Sequence, residues 1–221
     1  MILGIKNGTN FNLYDCMTVV IDYHAGNLGS IKNMLKKLDV ESIVSSKADD
    51  LRIASHLILP GVGSFDFGMK KLHELNLVDL IKKRVIEEKV PILGVCLGAQ
   101  LFCKSSEEGK EEGLGFIDAD VRKFPTIVNG KRYAVPHMGW DFVIPMKESR
   151  LLQNNTDLSR FYFVHSYGIT CNNPNDILAA NEYSMVYHSA FERDNILGVQ
   201  FHPEKSHRFG KQLYKNFIEK Y

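Results

Sequence analysis

A cysteine between two glycines is the clearest candidate nucleophile in this chain. An apolar run over residues 90–95 predicts a short buried strand, and a Gly-x-Cys-x-Gly turn then leads into a predicted helix. This strand–turn–helix pattern is typical of a nucleophile elbow with cysteine in place of serine. Because glycine has no Cβ atom, Gly94 and Gly98 permit a tight turn with Cys96 at its apex. The N–H groups that open the helix would favour the Cys96 thiolate.

A buried core cysteine on a parallel strand is the alternative interpretation, since free cysteine is among the most buried residue types. A second motif, Phe-His-Pro-Glu-Lys-Ser, bears on this choice. Residues two apart in an extended segment point to the same side, so Glu204 can orient the ring of His202. Pro203 keeps His202 out of a helix. His202 could accept the proton of Cys96 and later protonate a leaving amine. The alternative is a surface histidine before a turn, with Glu204 starting the last helix.

Acyl transfer to a cysteine also needs donors for the tetrahedral oxyanion. The N–H of Leu97, directly after the candidate nucleophile, is one candidate. Val62 is another, because the flanking glycines of Pro60-Gly61-Val62-Gly63 leave its peptide plane free to turn inward. This loop could also be an ordinary β–α turn or a phosphate cradle, although no Gly-Lys-Ser/Thr follows it.

Composition predicts a single soluble domain. The chain has 221 residues, 44% hydrophobic and 24% charged, with a net charge of +1, which argues against a nucleic-acid surface. Its four cysteines form no Cys-x-x-Cys pair or metal-like spacing, which suits a reducing compartment and predicts neither a metal nor a cofactor. With no signal peptide and no membrane-spanning segment, we expect a cytoplasmic protein that binds no membrane. Residues 1–16 are polar and Asn-rich, and we expect them to lie outside the fold of residues 17–221. They are either a loosely attached extension or, as we favour, the result of a translation start assigned at an upstream Met.

The predicted elements alternate between strands and helices in the first half of the chain. Strands are predicted at residues 18–23, 41–45, 57–59 and 90–95, and helices at 31–38, 66–76 and 77–88. This order predicts an α/β fold with a doubly wound, mostly parallel sheet and helices on both faces. Short alternating segments then predict a small antiparallel insertion at 120–124, 132–135 and 161–164, a late hairpin at 181–191 and 196–201, and a final helix at 206–220.

Together these motifs resemble a known family. Pro-Gly-Val-Gly, Gly-Val-Cys-Leu-Gly-Ala-Gln and Phe-His-Pro-Glu-Lys-Ser, in this order, are similar to those of class I (triad) glutamine amidotransferases. The stretches Asp-Tyr-His-Ala-Gly-Asn-Leu-Gly-Ser at 22–30 and Pro-His-Met-Gly-Trp at 136–140 narrow the resemblance to the glutaminase subunits of imidazole glycerol phosphate synthases. The resemblance covers about residues 17–221 and implies the class I glutamine amidotransferase fold.

The resemblance implies a reaction and a set of site residues. Cys96 would attack the side-chain amide of L-glutamine, form a glutamyl thioester and release ammonia. His202 would act as base and acid with Glu204 as its partner, and Val62 and Leu97 match the oxyanion loop. The positions that hold glutamine in this family match Gly63, Gln100, His165, Ser166 and Tyr167.

The resemblance also implies a partner, because this chain has no room for a synthase domain. A separate (β/α)8-barrel cyclase subunit would take the ammonia within a heterodimer and form imidazole glycerol phosphate and AICAR in histidine biosynthesis. Asn27, Trp140 and Lys205 match positions near the docking face. Trp140 could equally be a core or rim anchor, and Lys205 a solvated charge.

Some residues depart from this pattern. His24 and Asp141 stand where glycine and asparagine are expected. Residues 63–68 and 206–210 resemble a paralogous branch in which the same chemistry supplies ammonia for amidation of a surface-polysaccharide sugar. Two further hypotheses stay open on the sequence: a cysteine peptidase or thiol hydrolase of similar fold, and a non-catalytic binding module.

Overall fold

A sheet of eight strands forms the centre of the molecule in the computed structural model, which describes residues 3–6, 9–12, 17–154 and 159–221. The strands are β1 (Leu3–Lys6), β2 (Thr9–Asn12), β3 (Thr18–Ile21), β4 (Ser42–Ser45), β5 (His56–Leu59), β6 (Ile92–Val95), β7 (Ser105–Ser106), β8 (Ala119–Lys123), β9 (Ile127–Val128), β10 (Lys131–Arg132), β11 (His137–Phe142), β12 (Ile144–Pro145), β13 (Arg160–His165), β14 (Tyr167–Cys171), β15 (Ile177–Glu182), β16 (Val186–Arg193) and β17 (Ile196–Val199). The helices are α1 (Leu28–Lys36), α2 (Ala48–Ile53), α3 (Phe65–Glu74), α4 (Val78–Lys82), α5 (Leu97–Leu101) and α6 (His207–Lys220).

The central sheet is mainly parallel, which confirms the predicted fold class. Its order is β12-β15-β16-β17-β6-β5-β3-β4, and the pairings from β17 to β4 are all parallel. Successive residues of these buried strands point to opposite faces, so each strand contributes to two apolar cores. Helices α2, α3, α4 and α5 pack on one face and α1 and α6 on the other.

The predicted late hairpin is present as β16 and β17, although the segment predicted at 181–191 is divided between the end of β15 and most of β16. Strands β15, β16 and β17 form an antiparallel extension of the central sheet, and β17 then pairs in parallel with β6. Val199 therefore lies opposite Val95, and both strands end at the same edge of the sheet. Because Cys96 follows β6 and His202 follows β17 by three residues, this single pairing brings the two predicted motifs to one place.

Two other predicted boundaries are corrected. The strand predicted at 132–135 is instead a two-residue strand, Lys131–Arg132, which pairs with β9. The helix predicted at 77–88 is α4 followed by a π-helical turn, Lys83–Glu87. Local periodicity does not reveal this change, because the π-helical stretch is a single turn of five residues and is too short to show a period of its own.

Smaller sheets form the predicted insertion: β11 with β13, β9 with β10 and β14 with β8 pair antiparallel, while β7 joins β8 in parallel. Strands β1 and β2 pair only with each other, and residues 1, 2, 7, 8 and 13–16 lie outside the described part of the chain. That residues 1–16 are an extension stays a prediction. In the described ranges, no helix has the length and apolar content to cross a bilayer, and no group of three or more His, Cys, Asp or Glu residues is arranged to bind a metal.

Candidate active site

Cys96 occupies a sharp turn between β6 and α5. Its φ of 54° lies in the left-handed region, which side chains other than glycine rarely adopt and which occurs preferentially at functional sites. The turn requires both predicted glycines: a Cβ on Gly98 would lie 1.8 Å from the carbonyl oxygen of Leu59, and one on Gly94 would lie 2.7 Å from the Cα of Ala99. The N–H of Cys96 donates to the Val199 carbonyl at 2.8 Å, which ties the turn to β17.

Helix α5 is shorter than its sequence suggests. It spans five residues, and its N-terminus therefore contributes less to a thiolate than a long helix would. The side chain of Gln200 offers a further donor, with its Nε2 3.8 Å from the Cys96 sulfur. Sequence reasoning did not single out Gln200, because a glutamine directly after an apolar strand gives no local sign of what it faces.

His202 and Glu204 form a buried pair, as the spacing predicted. The Nδ1 atom of His202 lies 2.8 Å from Oε1 of Glu204, and both side chains are 2% exposed. Glu204 lies in a 3₁₀ turn, Pro203–Lys205, and α6 begins only at His207, so Glu204 does not start the last helix. Because Nδ1 is held by the carboxylate, Nε2 is the atom left for Cys96. Among the described residues Nε2 has no hydrogen-bond partner, which leaves it available to the proton of Cys96.

The electrostatics of His202 follow from these neighbours. Burial by itself lowers the pKa of the ring, but the interactions with Cys96 and Glu204 outweigh burial and raise the pKa to about 10. At neutral pH the ring is therefore protonated when it faces the Cys96 thiolate. Such an imidazolium can give its proton to a leaving amine without a separate acid.

The raised pKa of His202 predicts how stability depends on pH. The protonated ring is favoured in the folded state, so its contribution is fully present below the ordinary pKa of 6.5 and is lost as the pH rises to about 10. Urea unfolding of the wild type and of His202→Asn between these two pH values should show a stability difference that shrinks as the pH rises. A difference that stays constant over the range would contradict this assignment.

Cys96 and His202 share a cavity of about 330 Å³. The predicted oxyanion residues Val62 and Leu97 also line it. All the residues predicted to hold the substrate lie on its wall: Gly63, Gln100, His165, Ser166 and Tyr167. Strand β13 ends with His165 and β14 begins with Tyr167, so the antiparallel insertion forms the side of the cavity opposite the elbow.

The two predicted oxyanion segments lie against each other. A Cβ on Gly61 would be 2.7 Å from the Cβ of Leu97 and 2.9 Å from the N of Gly98, so only glycine permits this approach. Gly63, with φ 110°, gives the loop a conformation that few other residues adopt. Val62 between them is 45% exposed, although a valine side chain is usually buried. This exposure fits the prediction that the backbone N–H of Val62, and not its side chain, contributes to the site.

Glu108 was missed by sequence reasoning. It lines the cavity, and its Oε2 accepts from the N–H of Phe65 at 2.9 Å, directly after the oxyanion loop. The sequence places Glu108 in an acidic, glycine-bearing loop, which indicates surface exposure and does not indicate which carboxylate turns inward. Pro136 and Val164 are further cavity residues that no motif suggested.

The three predicted interface residues lie outside the cavity. Asn27 is exposed and caps α1, its Oδ1 accepting from the N–H of Ser30 at 3.4 Å. Trp140 is 44% exposed, which argues against a core role, and its ring stacks on His207 at 5.4 Å. The ammonium of Lys205 lies 5.6 Å from the centre of the Tyr162 ring. Tyr162 is the strand partner of Trp140, so Trp140 and Lys205 belong to one surface.

Comparison with known proteins identifies the family. Residues 19–221 match the family model described as glutamine amidotransferase class-I. The chain belongs to this family. Two curated relatives are named "Imidazole glycerol phosphate synthase subunit HisH 2": one from Methanococcus maripaludis is 49% identical and one from Pseudomonas aeruginosa 48% identical, each over 92% of this chain and 99% of the relative.

Solved structures support the fold. A crystal structure described as a glutamine amidotransferase superposes with a TM-score of 0.69 at 21% identity, covering 91% of this chain and 97% of that one. The glutaminase domain of CTPS from Trypanosoma brucei, with bound acivicin, superposes with a TM-score of 0.61 at 16% identity, covering 93% and 94% of the two chains.

Proposed function

We propose that this chain is the glutaminase subunit of an imidazole glycerol phosphate synthase and hydrolyses L-glutamine to glutamate and ammonia. The observation that carries the proposal is the buried His202–Glu204 pair, at 2.8 Å, beside Cys96 in one cavity. The names and coverage of the relatives supply the biosynthetic context. A catalytic Cys96–His202–Glu204 triad accounts for this geometry, with a nucleophile, a base and a residue that orients the base.

The reaction proceeds in two acyl-transfer steps. The Cys96 sulfur attacks the side-chain amide carbon of glutamine, and the resulting oxyanion accepts from the N–H groups of Leu97 and Val62. His202 donates a proton to the nitrogen as the C–N bond breaks, which releases ammonia and leaves a glutamyl thioester. His202 then takes a proton from a water that attacks the thioester, and glutamate leaves as the thiol is restored.

The cavity suits an amino acid of the size of glutamine. Gly63, Gln100 and the segment His165-Ser166-Tyr167 offer polar groups along its wall. We propose that Glu108 adds the negative charge that the α-ammonium group of glutamine requires. Because Glu108 also holds the N–H of Phe65, the ammonium and the start of α3 share one carboxylate.

The released ammonia requires a second subunit. We propose a heterodimer with a (β/α)8-barrel cyclase, which uses ammonia to form imidazole glycerol phosphate and AICAR in histidine biosynthesis. Trp140 and Lys205 would contribute to docking together with Met138 and Phe142, two exposed apolar side chains of the same strand β11, and Asn27 would lie at the margin. We place both subunits in the cytoplasm, on the composition of the chain.

A reconstitution assay tests this function. Glutamine hydrolysis by the isolated chain should be slow and should rise about tenfold or more when the barrel partner and its nucleotide substrate are added, which corresponds to a lowering of the activation free energy by about 1.4 kcal/mol or more. The measurement is glutamate release, with partner alone and ligand alone as controls. Hydrolysis that stays flat at saturating partner and ligand would contradict the proposal.

The same assay separates the competing functions. Nitrogen transfer to a sugar acceptor, with no imidazole product, would assign the chain to surface-polysaccharide amidation. Hydrolysis of peptides or esters as fast as that of glutamine would indicate a general thiol hydrolase. Selective labelling of Cys96 by a glutamine analogue would support the glutaminase.

A further inference from the structure

A series of hydrogen-bonded amide groups connects Tyr167, on the wall of the cavity, to the sulfur of Cys96. The Nε2 of Gln100 lies 3.1 Å from the carbonyl oxygen of Tyr167 and 3.0 Å from Oε1 of Gln200. The Nε2 of Gln200 lies 3.8 Å from the sulfur of Cys96. Gln200 is 0% exposed, so its amide has no water to satisfy it and depends on these partners.

Which amide group donates and which accepts along this series follows from one carbonyl group, that of Tyr167. The Tyr167 oxygen can only accept, so the group of Gln100 that faces it must be the NH₂. The second N–H of the same NH₂ then needs an acceptor in Gln200, which turns the Gln200 oxygen towards Gln100. The NH₂ of Gln200 is therefore left facing Cys96, and the opposite assignment would set two donors against each other at 3.0 Å.

His165 holds the same carbonyl in place. Its Nδ1 lies 2.8 Å from the Tyr167 oxygen, so Nδ1 carries the proton and donates. Burial lowers the pKa of His165 to about 3, which keeps the ring neutral. The Tyr167 oxygen thus accepts two hydrogen bonds, both of its lone pairs are used, and it cannot release Gln100 without losing a partner.

We propose that Gln200 is a further residue of the catalytic machinery, a side-chain amide held with its N–H on the Cys96 sulfur so that it stabilises the thiolate, with Gln100 as the positioning residue. The inference rests on the proposed function for its role in turnover, but its effect on the sulfur does not. A hydrogen bond to a charged acceptor is stronger than one to its neutral form, so the bond favours the thiolate over the thiol.

Two titratable groups also face Cys96. His202 lies beside it, and Tyr23 is close enough that burial and the charge of Cys96 both raise the pKa of its phenol. Tyr23 donates to the carbonyl oxygen of Pro60 at 2.6 Å and stays neutral at ordinary pH. Neither group contacts the Gln200 amide in a hydrogen bond, so both remain in place when Gln200 is replaced.

The pH dependence of Cys96 alkylation tests the proposal. Iodoacetamide modification of the isolated chain is followed for the Cys96 peptide by mass spectrometry, which separates it from the other cysteines. Gln200→Met removes the donor but keeps a side chain of similar volume. The midpoint, which is the pH at which the alkylation rate of Cys96 is half-maximal, should move about one pH unit higher, with about tenfold slower alkylation below it. Gln200→Glu should move it further in the same direction. Gln212→Met, in a glutamine that bonds Asn216 on α6, should leave it unchanged.

A second variant releases the Gln200 amide without replacing Gln200. Gln100→Met removes the N–H that holds the Gln200 oxygen and adds no charge of its own, so the Gln200 amide is no longer held with its NH₂ on the sulfur. The midpoint should rise as in Gln200→Met, and this variant decides the matter if Gln200→Met does not fold. An unchanged midpoint in either folded variant would overturn the proposal.

The outcome is separable from that of the proposed function. Alkylation needs neither glutamine nor a partner, so a shifted midpoint in a chain without glutaminase activity would uphold the role of Gln200 and reject the proposed reaction. In an active complex, Gln200→Met should lower kcat with little change in KM for glutamine, because Gln200 is not on the cavity wall.

Discussion

Replacing Cys96 with alanine should lower glutamine hydrolysis by the reconstituted complex by a factor of about 10⁴ or more, since a nucleophile that forms a covalent intermediate cannot be replaced by its neighbours. The fold should persist, because alanine can occupy the small buried site and the strained turn depends on Gly94 and Gly98. Glutamate release measures the loss, and the same complex should still make product when ammonium salt is supplied in place of glutamine.

The matched control is Cys103→Ala. Cys103 is fully buried, lies just beyond the end of α5 and is not on the cavity wall, and burial raises the pKa of its thiol well above the ordinary value. This variant should keep glutamine hydrolysis within about twofold of the wild type, although the small cavity it leaves can lower stability by about 1 kcal/mol. A Cys96→Ala complex that still released ammonia at the wild-type rate would reject the triad.

Gly98→Ala should have the largest effect on stability, a loss of about 3–5 kcal/mol in the free energy of unfolding. The added Cβ would lie 1.8 Å from the Leu59 carbonyl oxygen and 2.7 Å from its carbon, and both are backbone atoms of a central strand that cannot rotate away. The elbow would have to move away from β5, and with it Cys96. Urea unfolding followed by circular dichroism measures the loss.

Gly29→Ala is the matched control for this steric argument. Gly29 lies in the first turn of α1, and a Cβ there would meet no atom within 4 Å. Alanine in a helix restricts the unfolded chain and should therefore leave stability unchanged or raise it by up to about 1 kcal/mol. Equal stability of the Gly98→Ala and Gly29→Ala chains would show that the elbow tolerates a side chain and that packing of α5 on β5 is looser than the distances imply.

The elbow and the histidine motif were predictable because their geometry is local. Alternation of two residues in an extended segment places Glu204 beside His202, and the two glycines around Cys96 permit only a few turns. The parallel strands were predictable for a similar reason, since a buried strand followed by an amphipathic helix repeats along the chain. The predicted boundaries differ from the structure by one to several residues, because helix and strand ends depend on packing.

Other residues were not accessible to sequence reasoning. Glu108 and Gln200 contact segments far along the chain, and neither has a neighbour in sequence that indicates what it faces. The separate (β/α)8 partner and its docking surface remain proposals for the same reason. Trp140 is exposed, and an exposed aromatic on a strand indicates an interaction without identifying the partner.

Inspection of the sequence was enough to find the residues of the proposed chemistry: a cysteine on a glycine-flanked turn and a histidine with a carboxylate two residues away, within a parallel α/β framework. The folded molecule adds what these motifs do not contain, namely that β17 lies beside β6, in the register that opposes Val199 to Val95 and brings Cys96 and His202 into one cavity. The physical reason is that side-chain spacing within a strand follows from local backbone geometry, whereas the choice of neighbouring strand and register depends on how both faces of the whole sheet are buried.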